Sequence, residues 1–165
     1  MDRHDAVDEV SGPGFRSVMA DLPSSVVVVT TVDAAGVPHG LTCSTLCRVS
    51  LDPPLLLVCV PNESRTLEAL RTSGVFAVNM LHQHGHDAAR AFGGGVEGQF
   101  RSVLWAPSTQ DKLPLLIDDA HSVAECRVQS TVVAGDHTVV IGEVRAFERL
   151  RSVPPMMSGP PDVSG

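Results

Sequence analysis

The chain has 165 residues, 43% of them hydrophobic, a net charge of −7 with neutral histidines, and no tyrosine. That length and apolar content bury one sizeable core, so one domain is expected. An acidic chain without a block of Lys or Arg has no footprint for a phosphate backbone, which sets nucleic acid aside as a partner.

The N-terminal stretch MDRHDAVDEVSGPG is acidic and lacks an apolar segment. Neither a signal peptide nor a membrane anchor is expected there, and the protein is read as cytoplasmic. The four cysteines, Cys43, Cys47, Cys59 and Cys126, sit among apolar or small residues in strand-like runs and are expected to be reduced. In that setting NES at residues 62–64 matches a glycosylation acceptor by chance. Residues 1–14 and 152–165, rich in Gly, Pro, Ser and Asp, read as tails flanking a domain of residues 15–151.

FRSVMADL, residues 15–22, predicts a short helix with Phe15, Val18, Met19 and Leu22 on one face, ended by Pro23. SSVVVVTTV predicts a strand closed by the turn DAAG, followed by strands in VPHGLTCSTLCRVSL and PPLLLVCV. SRTLEALRTSG predicts a helix with Ser64 as N-cap, Leu67 and Leu70 inward and Gly74 as its stop. VFAVNML is a further strand, and GHDAARAF a second short helix before a glycine-rich loop and GQFRSVLWAPS.

The last stretch alternates with strand period. Ala124, Cys126 and Val128 share one face against Glu125, Arg127 and Gln129, and beyond a turn Gly142, Val144 and Ala146 share a face against Glu143 and Arg145. A turn centred on Gly135 sets Glu125 opposite Arg145 and Arg127 opposite Glu143. It leaves His137 at the mouth of the second strand, where residue type alone favours an exposed loop histidine without a task. About six mostly antiparallel strands with a few short helices give a mainly β fold, a β-barrel decorated by helices. GGGVEG, residues 93–98, fits G-x-G-x-x-G letter for letter, but it follows a helix rather than a strand and opens no helix, so a Rossmann site is rejected.

Two stretches carry candidate chemistry. In CVPNESRTLEAL a helix beginning at Ser64 offers unpaired backbone N–H groups, with Ser64, Arg65 and Thr66 adding two hydroxyls and a guanidinium at the positive end of the dipole. The same residues are equally explained as an N-cap beside a solvated arginine. In HGLTCSTLCRVSLDPP, Thr42, Ser44 and Thr45 place hydroxyls in an otherwise apolar strand, where they bond neighbouring backbone or line a pocket for a flat heteroaromatic ring. A phosphate site beside such a groove describes a mononucleotide. HQHGH alternates His82, His84 and His86, but Gly85 and the following helix spoil strand geometry, and no metal is expected. Cys43 and Cys47 stand about 13 Å apart along a strand, too far to share zinc, and no histidine adjoins any cysteine in a nucleophile signature.

Taken together, FRSVMADLPSSVVVVTTVDAAGVPHGLTCSTLCRVSLDPPLLLVCVPNESRT, FAVNML, AARAFGG, QFRSVLW, LPLLIDDAHSVAEC and GDHTVVIGEV resemble the short-chain flavin reductases, the reductase partners of two-component flavin-dependent monooxygenases. The resemblance runs in order from about residue 15 to residue 150. It implies a split β-barrel homodimer that reduces FMN or FAD with NADH or NADPH and supplies reduced flavin to a monooxygenase. It also implies that Thr42, Cys43, Ser44 and Thr45 face the isoalloxazine with Ser50, that Ser64, Arg65 and Thr66 hold the phosphate, and that His137 lines the nicotinamide side. Against the family's aromatic C-terminal stretch this chain ends in PPMMSGPPDVSG. Two other functions stay open: an enzyme with tightly bound FMN acting on an organic metabolite, and a non-catalytic flavin carrier.

Overall fold

The computed structural model describes residues 12–95 and 97–159. In chain order its strands are β1 (Ser24–Ser25), β2 (Val27–Val32), β3 (Pro38–Cys43), β4 (Cys47–Leu51), β5 (Pro54–Pro61), β6 (Val75–Leu81), β7 (Trp105–Pro107), β8 (Pro114–Leu116), β9 (Ala120–Ala134), β10 (His137–Arg149) and β11 (Met157–Ser158). The helices are α1 (Gly12–Ala20), α2 (Arg65–Ser73) and α3 (His86–Gly93), with a 3-10 turn at Gln99–Arg101.

Consecutive valines in β2 break the alternation of a strand with one wet face because this strand is covered on both sides. Val27 and Val29 enter an apolar cluster with Val58, Val60, Phe76 and Val140, whereas Val28 enters a second with Leu81, Phe92, Leu116 and Met156. β2 lies inside a seven-stranded antiparallel sheet of order β3-β2-β6-β9-β10-β5-β4. The fold is mainly β, as the turn spacing requires. No helix among the described residues is long and apolar enough to cross a membrane.

Buried polar side chains fasten the β7–β8 hairpin region over this sheet. The Asn79 amide donates to Val28 O at 3.1 Å and to Thr30 Oγ1 at 3.0 Å, and its oxygen accepts from the Leu116 N–H at 2.8 Å. Thr30 in turn donates to Pro114 O at 2.6 Å. Every polar atom of this group has a partner, so its burial costs little.

The structure departs from the sequence reading at four places. VPHGLTCSTLCRVSL is two strands rather than one, and β3 and β4 stand at opposite edges of the sheet. Residues 44–46 turn the chain because side-chain bonds replace the ladder: Thr45 Oγ1 accepts from the Cys59 N–H at 3.0 Å and the Thr45 N–H meets Cys43 Sγ at 3.4 Å. Helix α1 forms, yet Phe15, Val18, Met19 and Leu22 are exposed, because periodicity fixes an apolar face without fixing what covers it.

In the hairpin, Arg127 does lie opposite Glu143, and Gly135 takes φ 63° in the turn. A bulge between Val144 and Ala146, however, sets Glu125 opposite Ala146, and the displaced Arg145 pairs with Glu143 of its own strand at 3.3 Å. Finally, the described part of the segment read as a C-terminal tail packs onto the domain. Met156 is buried, its N–H donates to Leu81 O at 2.8 Å, its carbonyl accepts from the Val26 N–H at 3.0 Å, and β11 pairs with β1. Two adjacent methionines among Pro, Ser and Gly leave no period to read. The outer parts of both expected tails, residues 1–11 and 160–165, lie outside the described residues.

Candidate functional site

The N-terminus of α2, the strand β3 and the glycine-rich loop after α3 enclose a cleft of about 540 Å³. Each wall has a local cause. Ser64 is extended (φ −77°, ψ 137°) and its Oγ accepts from the Leu67 N–H at 3.0 Å, so it caps α2, while Gly74 closes the helix in the left-handed region at φ 71°. Leu67 and Leu70 are fully buried and fix the helix on the sheet. The first-turn N–H groups of Arg65 and Thr66 have no acceptor within the helix and point from its positive end. Ser64, Arg65 and Thr66 all line the cleft.

The facing wall is β3. Thr42 lines the cleft and its hydroxyl donates to Ala89 O at 2.7 Å, tying the strand to α3. Gly40 is required by close approach, since a Cβ there would lie 2.9 Å from Cε1 of Phe92. Phe92 therefore packs directly against the β3 backbone, and its ring stands edge-on to Phe100 at 4.9 Å, which stands edge-on to Trp105 at 5.6 Å. At the mouth, Arg65 Nη1 meets Glu97 Oε1 at 2.8 Å.

Four of the candidate residues, Thr42, Ser64, Arg65 and Thr66, are thus brought together. Cys43 instead turns into the core beside Thr45, its Sγ 3.0 Å from Thr45 Oγ1 and 3.5 Å from Cys59 O. Ser44 and Thr45 are exposed outside the cleft wall, and Ser50 is half-buried on β4. His137 does not line the cleft but pairs with Pro61, which does. Its Nδ1 lies 2.7 Å from Asp136 Oδ1, and that contact holds the Asp136 carboxyl below the usual carboxylate range.

Sequence reasoning missed Asn62, His39, Phe92 and Glu97. Asn62 joins the cleft loop to the β9–β10 turn: its N–H donates to Asp136 O at 3.0 Å and its side-chain amide to Gly135 O at 2.9 Å. His39 lines the cleft and sits 3.0 Å from Asp33 Oδ2. That bond, with the Val37 and Ala35 N–H groups on the same carboxylate, holds Asp33 below the usual range. The usable signal was the DAAG turn, which sets Asp33 and His39 across a tight β2–β3 connection. Gly93, Gly95, Glu97 and Gly98 line the cleft without forming a dinucleotide motif, because they lie between the end of α3 and a 3-10 turn.

Elsewhere, His82 spends both ring nitrogens within the fold, donating from Nε2 to Asp118 O at 2.8 Å and accepting at Nδ1 from the His84 N–H at 3.1 Å. Among the described residues no group of three or more His, Cys, Asp or Glu side chains is placed to hold a metal. Cys126 is buried and its thiol pKa is pushed up to about 12 by desolvation and by Glu125, so it stays protonated and inert.

A family model described as a flavin reductase like domain matches residues 19–158. A flavin reductase (NADH) of Kitasatospora aureofaciens is 46% identical over 149 residues, 90% of this chain and 78% of its own. A flavin reductase (NADPH) of Lentzea aerocolonigenes is 43% identical over 145 residues, 88% of this chain and 85% of its own. A reductase subunit of a flavin-dependent monooxygenase, HsaB of Rhodococcus jostii, is 31% identical over 152 residues, 92% of this chain and 76% of its own. Among solved structures, the Streptomyces globisporus C-1027 NADH:FAD oxidoreductase SgcE6, in complex with NAD and FAD fragments, superposes with a TM-score of 0.83 at 31% identity, covering 92% of this chain and 93% of that one. With the family model spanning nearly all the described residues and these identities behind it, the chain belongs to the flavin reductase like domain family.

Proposed function

We propose that this chain transfers a hydride from NADH or NADPH to free FMN or FAD and that the cleft between α2 and β3 holds the flavin. The observation that carries the reading is the joining in one cleft of a helix N-terminus bearing Ser64, Arg65 and Thr66 with the hydroxyl-bearing strand at Thr42. Its volume of about 540 Å³ falls within the roughly 300–1,000 Å³ of small-molecule and cofactor sites.

Ser64, Arg65 and the backbone N–H groups of the first turn hold the phosphate, and Thr66 supplies a second hydroxyl. The end of β3 at Thr42 and Cys43, the turn that follows it at Ser44 and Thr45, and Ser50 on β4 orient the ring with backbone groups and hydroxyls. Cys43 contributes through its backbone, since its side chain faces the core. The flavin supplies a hydride-accepting N5, so the chain needs no side-chain acid or base and works by stacking and polarising the rings. His137, steadied by Asp136, lines the nicotinamide side. Relatives named for each nicotinamide coenzyme lie at similar identity, which keeps both coenzymes in the proposal.

The assembly we propose is a homodimer of split barrels. The approach of Cys43 and Thr45 to Cys59 of β5 supports curling of the sheet toward closure. Phe147 and Leu51, 81% and 79% exposed, are apolar surface that a second subunit would cover, along with the open side of the cleft near His137. Reduced flavin passes to a partner monooxygenase in the cytoplasm, in keeping with relatives named as monooxygenase reductase subunits.

The test is loss of absorbance at 340 nm with dialysed protein, comparing NADH and NADPH with and without added FMN or FAD. Turnover that requires free flavin is the expected result. Flavin retained through dialysis, with turnover independent of added flavin, points to a bound-cofactor enzyme. Flavin binding without nicotinamide oxidation points to a carrier.

A further inference from the structure

We infer that Glu97 is an internal counter-ion that competes with the ligand phosphate for Arg65 and so sets how weakly the protein holds phosphorylated flavins. This rests on the reading of the cleft as a flavin site. Arg65 is the cation at the mouth of the phosphate cradle, and its Nη1 is already engaged by Glu97 Oε1 at 2.8 Å. The two residues are far apart in sequence and belong to opposite walls of the cleft, so the ion pair spans the entrance. An incoming phosphate meets Arg65 only by displacing that carboxylate or by accepting its repulsion.

Displacement is cheap here. The Glu97 and Arg65 side chains are 84% and 58% exposed, and an ion pair in water is worth little. Gly95 and Gly98, at φ 62° and 82°, flank Glu97 in a loop exposed to solvent, so the carboxylate swings away without straining a regular element. Other charges near Arg65 do not relieve the competition. Glu63 lines the same cleft, while Glu68, Asp33 and His39 line the adjoining hollow that shares Arg65, and Asp33 is committed to His39. The consequence is an exchange of one anion for another at the entrance, which suits a protein that must bind and release flavin at every turnover.

The test is a fluorescence titration of the dialysed full chain with FMN and with riboflavin, which lacks the phosphate. Glu97→Gln is expected to lower the FMN Kd about two- to fivefold, the span of a surface ion pair, and to leave riboflavin unchanged. The gain should vanish in an Arg65→Gln background and shrink at high salt. Unchanged or weaker FMN binding in Glu97→Gln overturns the inference, as does an equal gain for riboflavin or a gain that survives loss of Arg65. Wild-type protein that binds neither flavin overturns the functional reading instead. The competition is then read from inorganic phosphate, which should raise the Tm of Glu97→Gln more than that of wild type, and equal shifts overturn it.

Discussion

The Thr138 hydroxyl donates a 2.8 Å hydrogen bond to the side-chain oxygen of Asn62, joining the buried start of β10 to the loop that forms one lip of the cleft. Arg71 at the far end of α2 donates to the same hydroxyl at 3.2 Å, so the helix, the loop and the hairpin turn share one polar node. Through this node the β9–β10 turn is held beside the cleft although His137 does not line it.

Asn62→Ala removes the Thr138 bond and the bond to Gly135 O while leaving the backbone bond to Asp136 O. Stability should fall by about 1–3 kcal/mol, because a buried hydroxyl loses its acceptor. The KM values for flavin and nicotinamide should rise together, since lip and turn loosen as a unit. Urea unfolding and steady-state kinetics at 340 nm measure the two effects.

His137→Ala should raise the NAD(P)H KM or lower kcat while leaving flavin affinity nearly unchanged. Kinetics identical to wild type would reduce His137 to a surface histidine.

Removing both hydroxyls by Ser64→Ala with Thr66→Val should weaken FMN more than riboflavin in a fluorescence titration. Loss of the N-cap bond also costs about 0.5–2 kcal/mol of stability, which thermal melts report separately. Equal weakening of both ligands would move the phosphate elsewhere.

Gly142 faces the ring of Phe76, and an added Cβ would stand 2.5 Å from its Cζ and 3.0 Å from the Cβ of Cys126. Gly142→Ala should destabilise by about 1–3 kcal/mol through overpacking. Adding Phe76→Leu should recover part of the loss, and a double-mutant cycle in urea measures the coupling.

Burial, then the charge of Arg149, holds the His121 pKa below its usual value. The unfolded chain therefore takes up this proton first as pH falls, so the contribution of neutral His121 is present above the ordinary histidine pKa of about 6.5 and is lost below it. His121→Asn should flatten the fall in Tm between about pH 8 and pH 5 relative to wild type. A parallel pH profile would assign the fall to other groups.

Much of this arrangement was legible one segment at a time. The cap at Ser64, the inward Leu67 and Leu70, and the stop at Gly74 are properties of local hydrogen bonding and helical period, and they appear as read. The turn at Gly135 follows from its need for positive φ. The pairing of Glu125 with Arg145 failed because a bulge is a response to the neighbouring strands, and no residue in β10 announces it. The hydroxyl run from Thr42 to Ser50 was read as one strand, yet side-chain bonds to Cys59 broke it and left only Thr42 on the cleft wall.

What the sequence by itself determined is the helix α2 with its cap and stop, the strand character of β2, β5, β6, β9 and β10, and which residue types lie at the head of α2, because those depend on contacts within a few residues. The tertiary structure alone decided that Met156 is core, that Phe92 rather than a side chain of β3 fills the space over Gly40, and that Glu97 reaches Arg65. Each of these joins segments distant in the chain, and no local period or propensity encodes a contact whose partner is chosen by how the sheet folds.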